Sequence, residues 1–233
     1  MNDFKKSLVI IPARGGSKGI PHKNIKPLAG KPLIHYTIDV ARQIVPDEDI
    51  CVSTDDNEII KCVEDYGLKV PFVRPAELAT DTAGSYGVLL HALGFYEEKG
   101  IFYDNIILLQ NTSPFRNAEH VREAMKLYTQ DIDMVVSVKK AEANPYYGCY
   151  EEDKDGYLHV SKGEGIYTRR QDAPDAYCYN GAIYIINPDS LKKMPLSKFP
   201  HRVKYVMDDL HSVDLDTIID WKFAEFLIKE KMI

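Results

Sequence analysis

Short runs of branched aliphatic residues alternate with longer stretches in which apolar positions recur every three or four residues. Residues 8–11, 50–54, 105–110, 134–138, 180–186 and 203–207 are of the first kind. They are too short for helices and are bounded by Pro, Asn or Asp. Each predicts a strand buried on both faces. Between them, Leu33, Tyr36, Val40 and Ile44 fall at helical spacing, with Ile34, Ile38 and Ala41 widening the stripe. Ile59, Ile60 and Val63 mark a second helix, and Val88, Leu89, Ala92, Leu93 and Tyr96 a third. Val121, Ala124, Met125 and Tyr128 mark a fourth. Pro32 suits a first helical turn, Pro46 ends that helix, and Asp55-Asp56-Asn57 caps the next. Residues 217–229 form a closing helix, with Ile219, Phe223, Phe226 and Leu227 expected on its buried face. The alternation predicts an α/β fold: a mainly parallel sheet with helices on both faces. Ligands of such sheets gather at the carboxyl ends of the strands.

The rhythm breaks between residues 141 and 179. Tyrosine, glycine and charge become dense, the helical period disappears, and Asp155-Gly156 gives a hairpin signal. The expectation is a single domain over residues 1–233, with 141–179 inserted as a lid, an interface or both. A length of 233 residues, 45% of them hydrophobic, suits one domain with a sizeable core. The net charge of −6 gives no general attraction to nucleic acid or to an anionic membrane. No apolar run approaches the roughly 18–20 residues of a membrane span. The first residues are polar, unlike a signal peptide. Cys51, Cys62, Cys149 and Cys178 show no Cys-x-x-Cys pairing, which speaks against a cysteine zinc site and for reduced cytoplasmic thiols.

Candidate chemistry starts where the first strand ends. Pro12-Ala13-Arg14-Gly15-Gly16-Ser17-Lys18-Gly19 leads on to Lys23-Asn24. The glycines let backbone N–H groups approach a ligand closely. Arg14 can grip two phosphate oxygens, and Lys18 acts as a point charge. The pattern describes a polyphosphate cradle. It is neither a Walker loop nor a dinucleotide fingerprint, because neither glycine spacing occurs. Far along the chain, Asp214 and Asp216 alternate on an extended segment, which turns both carboxylates to one side. They repel each other unless a cation intervenes, and Mg²⁺ takes such oxygen ligands. A solvated edge or a helix cap explains the same spacing. Asp220 reads as structural. Read by themselves, Arg74 is a surface cation, Ser85 a helix N-cap, and Arg169-Arg170 either a solvated face or an anion patch.

The loop signature resembles that of the acylneuraminate cytidylyltransferases, the CMP-sialic acid synthetases. The likeness continues through Arg74-Pro75, Ser85, Leu109-Gln110-Asn111-Thr112-Ser113-Pro114-Phe115-Arg116, Asn180-Gly181-Ala182-Ile183-Tyr184 and the closing Asp214-Leu215-Asp216. The resemblance implies a three-layer Rossmann-like nucleotidyltransferase fold, with the excursion reaching over a partner in a homodimer. It implies nucleotide binding by Ala13, Arg14, Gly15, Gly16, Ser17, Lys18, Asn24, Arg74 and Ser85. Sugar binding falls to Gln110, Tyr147, Arg170 and Asn180, and metal binding to Asp214 and Asp216. Mg²⁺ is the implied cofactor, with Mn²⁺ an alternative. The substrates would be CTP and a nine-carbon 2-keto sugar acid.

That reading gives a mechanism. Arg14 and Lys18 neutralise the triphosphate, the anomeric hydroxyl attacks the α-phosphorus in line, and pyrophosphate leaves. Arg14, Lys18, Gln110, Asp214 and Asp216 carry the reaction, with Asp214 ahead of Gln110 as general base. Two positions depart from the best-known sialic acid enzymes. Asn144-Pro145-Tyr146-Tyr147 replaces a His-Pro-x-Lys context, and Cys178 stands where an arginine is expected. Those features look closer to enzymes for bacterial nonulosonates such as legionaminic acid. The competing readings are a CMP-Kdo synthetase and a nucleotide-binding protein of the same fold without catalysis.

Overall fold

A computed structural model describes residues 6–16, 19–80 and 84–233. The strands are β1 (Ser7–Pro12), β2 (Pro27–Leu28), β3 (Lys31–Pro32), β4 (Ile50–Ser53), β5 (Asn105–Leu108), β6 (Met134–Lys140), β7 (Tyr150–Glu152), β8 (Leu158–Val160), β9 (Tyr177–Ile186) and β10 (Arg202–Val206). The helices are α1 (Leu33–Arg42), α2 (Asn57–Asp65), α3 (Ser85–Glu97), α4 (Ala118–Lys126), α5 (Pro188–Lys193) and α6 (Ile218–Lys229). Six strands form one sheet in the order β10-β6-β9-β5-β1-β4. All pairings are parallel except those of β9, which runs against both β5 and β6. The chain leaves β6 at the carboxyl edge, makes its excursion there, and re-enters from the same edge. The returning strand must therefore run the other way.

Side chains of successive strand residues go to opposite faces. Val9, Ile11, Val52, Ile107 and Val135 pack into one core layer that also takes residues of α1, α2 and α4. Leu8, Ile10, Cys51, Ile106, Leu108 and Val136 pack into a second layer with residues of α3 and α5. Both faces are thus covered, which explains why the strands read as continuous apolar runs. Among the described residues no helix is long and apolar enough to cross a membrane.

α6 departs from expectation. Trp221, Ala224 and Leu227 are its buried residues, packed with Ile20, Leu28, Leu33 and Phe115. Ile219, Phe223 and Phe226, expected in the core, are 76%, 47% and 51% exposed. The helix is apolar around most of its circumference, so periodicity alone does not select a face. The bulky indole of Trp221 fills the space beside the β2–β3 hairpin and sets the rotation. Thr217 caps α6 through a reciprocal box with Asp220.

The excursion holds only the β7–β8 hairpin, closed by Gly156 at φ 86°, and a 3₁₀ turn over Arg170–Asp172. Its base is pinned by the Ala141 N–H donating to the Ala176 carbonyl at 2.9 Å and the Asn144 amide donating to the Pro174 carbonyl at 2.9 Å.

Candidate active site

The loop after β1 leaves the carboxyl edge of the sheet and is held by backbone groups and two acidic residues. The Ala13 N–H donates to the Ser53 carbonyl at 2.9 Å. The Gly15 N–H donates to Asp55 Oδ1 at 3.3 Å, and the same oxygen accepts from the Arg74 guanidinium at 3.3 Å. Asp56 caps α2, accepting from the N–H groups of Glu58 at 2.7 Å and Ile59 at 3.2 Å. Gly15 passes over Asp56 so closely that a methyl group there would overlap its Oδ2. Beside Gly16 no atom of the described residues lies within 4 Å of where a side chain would begin, which leaves room for a ligand there. Asn24 is buried; its amide donates to the Arg14 carbonyl at 2.9 Å and its oxygen accepts from Asn111 at 3.2 Å. Asn24 therefore shapes the loop from beneath. Ser17 and Lys18 lie outside the described residues.

Arg74 is buried rather than a surface cation, and its Nε has no hydrogen-bond partner among the described residues. Burial lowers its pKa, Asp55 opposes that, and the nearby Arg14 charge adds to the lowering. The Arg74 guanidinium lies 3.3 Å from Asp55 and feels the Arg14 charge, and two guanidinium groups near each other suit an anionic ligand. Ser85 is the exposed first residue of α3, and Gly84 occupies the N-cap without a side-chain cap. The N-cap role expected of Ser85 is thus not realised. Its hydroxyl stands at a helix N-terminus, where backbone donors favour negative charge.

The two-aspartate segment lies directly on this loop. The Leu215 N–H donates to the Thr112 carbonyl at 2.8 Å. Lys23 Nζ donates to the Leu215 carbonyl at 2.6 Å and stands 3.4 Å from Asp216 Oδ1. Gly19 packs so tightly on the Asp216 carbonyl that any side chain would collide with it. Lys23 thus ties the loop to the aspartates. Asp216 is exposed, whereas Asp214 is half-buried and its Oδ1 is buried without a hydrogen-bond partner among the described residues. Burial raises the Asp214 pKa, helped by the charges of Asp216 and Asp220, while the Thr112 hydroxyl and Lys23 oppose it. An orphaned carboxylate oxygen beside a second, exposed carboxylate is a donor set that fits a hard divalent cation. Asp220 accepts from the N–H groups of Thr217 at 2.7 Å and Asp216 at 3.2 Å, a structural role.

Gly181 has φ 75°. A side chain there would begin 2.8 Å from Gln110 Oε1 and 3.8 Å from Asp214 Oδ2. Gln110 and Asp214 thus converge beside Gly181. Arg116, fully buried, holds the loop that presents Gln110. It donates to the Gln110 carbonyl and the Thr37 hydroxyl, each at 2.7 Å, and to the Ser113 carbonyl. Burial lowers its pKa to about 9. Asn180 is buried. Its oxygen accepts from the Ser137 hydroxyl at 2.6 Å and the Ala182 N–H at 3.2 Å, and its amide donates to the Ser212 hydroxyl at 2.9 Å and to Met207 Sδ. With every polar atom committed, it anchors β9 to the segment that leads into Asp214.

Tyr147 and Arg170 are carried by the excursion, both exposed. Among the described residues neither makes a hydrogen bond or ion pair with Gln110, Asp214 or Asp216. Arg169 is held by Asp172 at 2.6 and 2.9 Å, which neutralises half of the expected basic patch. Asp55, Asn111, Arg116 and Gly181 are the residues that sequence reading gave no site role. Asn111, Arg116 and Gly181 stand inside recognised motifs, so a signal existed; the partners of Asp55 are remote in the chain.

A family model described as Cytidylyltransferase matches residues 8–207. The chain is 35% identical over 226 residues to a CMP-N,N'-diacetyllegionaminic acid synthase of Legionella pneumophila, covering 95% of this chain and 96% of that protein. It is 38% identical over 235 residues to an N-acylneuraminate cytidylyltransferase of Streptococcus agalactiae, covering 97% of this chain but 55% of that longer protein. A structure of CMP:2-keto-3-deoxy-manno-octonic acid synthetase complexed with CTP superposes with a TM-score of 0.69 at 19% identity, covering 97% of this chain and 99% of that one. That likeness bears on the fold alone.

Proposed function

This chain belongs to the cytidylyltransferase family, and from that premise we propose that it transfers CMP from CTP to the anomeric hydroxyl of a sialic-acid-type nonulosonic acid, releasing pyrophosphate. The observation that carries the proposal is the packing of the Asp214–Asp216 segment onto the glycine loop, through Gly19 and Lys23. That packing brings the glycine loop and the two carboxylates next to each other, which supports reading the loop as the phosphate cradle and the carboxylates as its metal ligands. Relatives named for legionaminic and neuraminic acids favour a nonulosonic acid over Kdo.

In this reading Arg14 and Arg74 hold the triphosphate against the backbone at Gly16, and Lys18 adds a further charge. Gln110 orients the acceptor hydroxyl. That hydroxyl forms a new bond to the α-phosphorus as the bond to the bridging oxygen of pyrophosphate breaks. Asp214, whose pKa burial has raised, takes the hydroxyl proton. Asp214 and Asp216 would hold Mg²⁺, or Mn²⁺ in its place, which supplies charge neutralisation at the phosphates. Catalysis is mostly positioning and electrostatic stabilisation. Tyr147 and Arg170 supply the sugar side when the excursion folds toward the cleft. The exposed Tyr150, Tyr157, Leu158 and Ile166 on that excursion fit burial against a second copy, so we propose a homodimer acting in the cytoplasm.

The test is pyrophosphate release with CTP and Mg²⁺ against N-acetylneuraminic acid, a legionaminic acid derivative, pseudaminic acid and Kdo. Release with one nonulosonic acid, reduced about 10²–10³-fold in Asp216→Ala, is expected. Release only with Kdo sinks the substrate assignment. Tight CTP binding with no release from any of the four favours the non-catalytic reading.

A further inference from the structure

At the start of α4 and in the turn after β10, His120, Asp208 and His211 come together from two parts of the chain. One ring nitrogen of each histidine and one carboxylate oxygen of Asp208 lie within 4.8 Å of one another. The ring planes of the histidines meet edge to face, with centroids 4.6 Å apart. His120 is the third residue of α4, and its backbone N–H donates to the Asn117 cap at 3.0 Å. Asp208 and His211 form a tight turn after β10, in which the His211 N–H donates to Asp208 Oδ1 at 3.0 Å. The backbone of both ligand-bearing segments is therefore fixed before any ion arrives.

The chemistry of the set is specific. Two imidazoles and one carboxylate are the ligands of borderline divalent transition metals, Zn²⁺ foremost, and not of Mg²⁺ or Ca²⁺. Zinc ligands about 2.0–2.2 Å from the ion stand roughly 3.3–3.6 Å apart in a tetrahedron, so small side-chain rotations bring these three onto one ion. His211 Nδ1 lies 2.7 Å from Asp208 Oδ2, so these two atoms already converge; an ion bound by both takes the place of the proton between them, and the ring proton then sits on Nε2. His120 Nδ1 accepts from the Asn117 N–H at 3.3 Å. Loading through Nε2 moves the ring proton to Nδ1 and gives up that long bond. Glu119 and Glu123 add negative charge around His120.

We propose that His120, Asp208 and His211 form a binding site for one Zn²⁺-class ion, separate from the Asp214–Asp216 pair and completed by water. The ion would cross-link α4 to the turn that precedes Ser212. Ser212 accepts from Asn180 at 2.9 Å, and the chain continues from it into Asp214. The site therefore braces the segment carrying the two aspartates. The proposal does not depend on which sugar the protein activates.

The experiment is a titration of the full chain with Zn²⁺ against a chromophoric chelator. Thiols are first blocked with N-ethylmaleimide, and excess Mg²⁺ is present to occupy hard-oxygen sites. One equivalent of Zn²⁺ is expected, unchanged in Asp216→Ala and weakened at least about 10–100-fold in His211→Ala. His120→Ala should weaken it equally. Because His120 also belongs to the α4 cap, His211→Ala is the deciding variant, with circular dichroism checking its fold. Co²⁺ in place of Zn²⁺ should give visible bands without thiolate charge transfer. Failure to compete with the chelator, affinity unchanged in His211→Ala, or thiolate bands would each overturn the assignment.

Discussion

At the scale of single residues, the site depends on close approaches that only small or rigidly held groups permit. Gly19 is the sharpest case, because its neighbour is a backbone carbonyl that cannot rotate away. Gly19→Ala must displace either the loop or Asp216. A displacement of about 1 Å between reacting groups costs on the order of 10² in rate. We expect kcat/KM in the pyrophosphate assay to fall by about that factor, with the circular dichroism spectrum unchanged. A wild-type rate would show that the contact has slack. Arg116 is a second case. It donates to the Gln110 carbonyl, the Thr37 hydroxyl and the Ser113 carbonyl within the protein interior. Arg116→Met leaves those oxygens without a donor, at about 1–3 kcal/mol each. Relief of the buried charge offsets part of this. The net expectation is a lower urea midpoint and a loss of activity, since Gln110 rides on the same loop. A midpoint at or above wild type would mean that the desolvation term dominates.

At the scale of elements, α6 shows a cap acting at a distance from its own helix. Asp220 closes the box with Thr217 and also accepts from the Asp216 N–H, so one carboxylate sets both the helix start and the end of the two-aspartate segment. Burial tends to raise its pKa, but the bonds from Thr217 and Asp216 prevail and hold it below the usual carboxylate range. A depressed folded pKa means stabilisation that is present above the unfolded value and lost as pH falls through the folded one. Asp220→Ala should therefore cost about 1 kcal/mol near neutrality. The difference from wild type should shrink below about pH 4, where the unfolded carboxyl begins to protonate. Thermal melts across that range give the comparison, and a gap constant with pH would remove the charge from the explanation.

At the scale of the whole molecule, the sheet delivers every piece to one edge. β1, β4, β5 and β6 all end there, and the loops after them carry Arg14, Asp55, Gln110 and the excursion. The hairpin of the excursion is left with Tyr157 and Leu158 at 69% and 67% exposed. If a second copy covers that surface, Leu158→Glu should shift the light-scattering mass from dimer to monomer while leaving the thermal unfolding of the core domain nearly unchanged. A monomeric wild type would end the dimer proposal.

Much of this was legible in the amino-acid order. Apolar runs such as 8–11 and 134–138 are buried on both sheet faces, so their composition declares them, and the family resemblance of the glycine loop and the Asp214–Asp216 segment is carried by local motifs. What could not be read there is whatever depends on a partner far along the chain. The rotation of α6 was fixed by the shape of the space that Trp221 fills, because the helix is apolar on nearly every side. The direction of β9 followed from the edge at which the excursion returns. Lys23 pairs with a residue almost two hundred positions away, and Asn180 is spent on Ser137 and Ser212. Local sequence determines which groups are present and on which element. The folded chain alone decides which of their hydrogen-bonding atoms remain for a ligand, because the competing partners arrive only when distant segments pack.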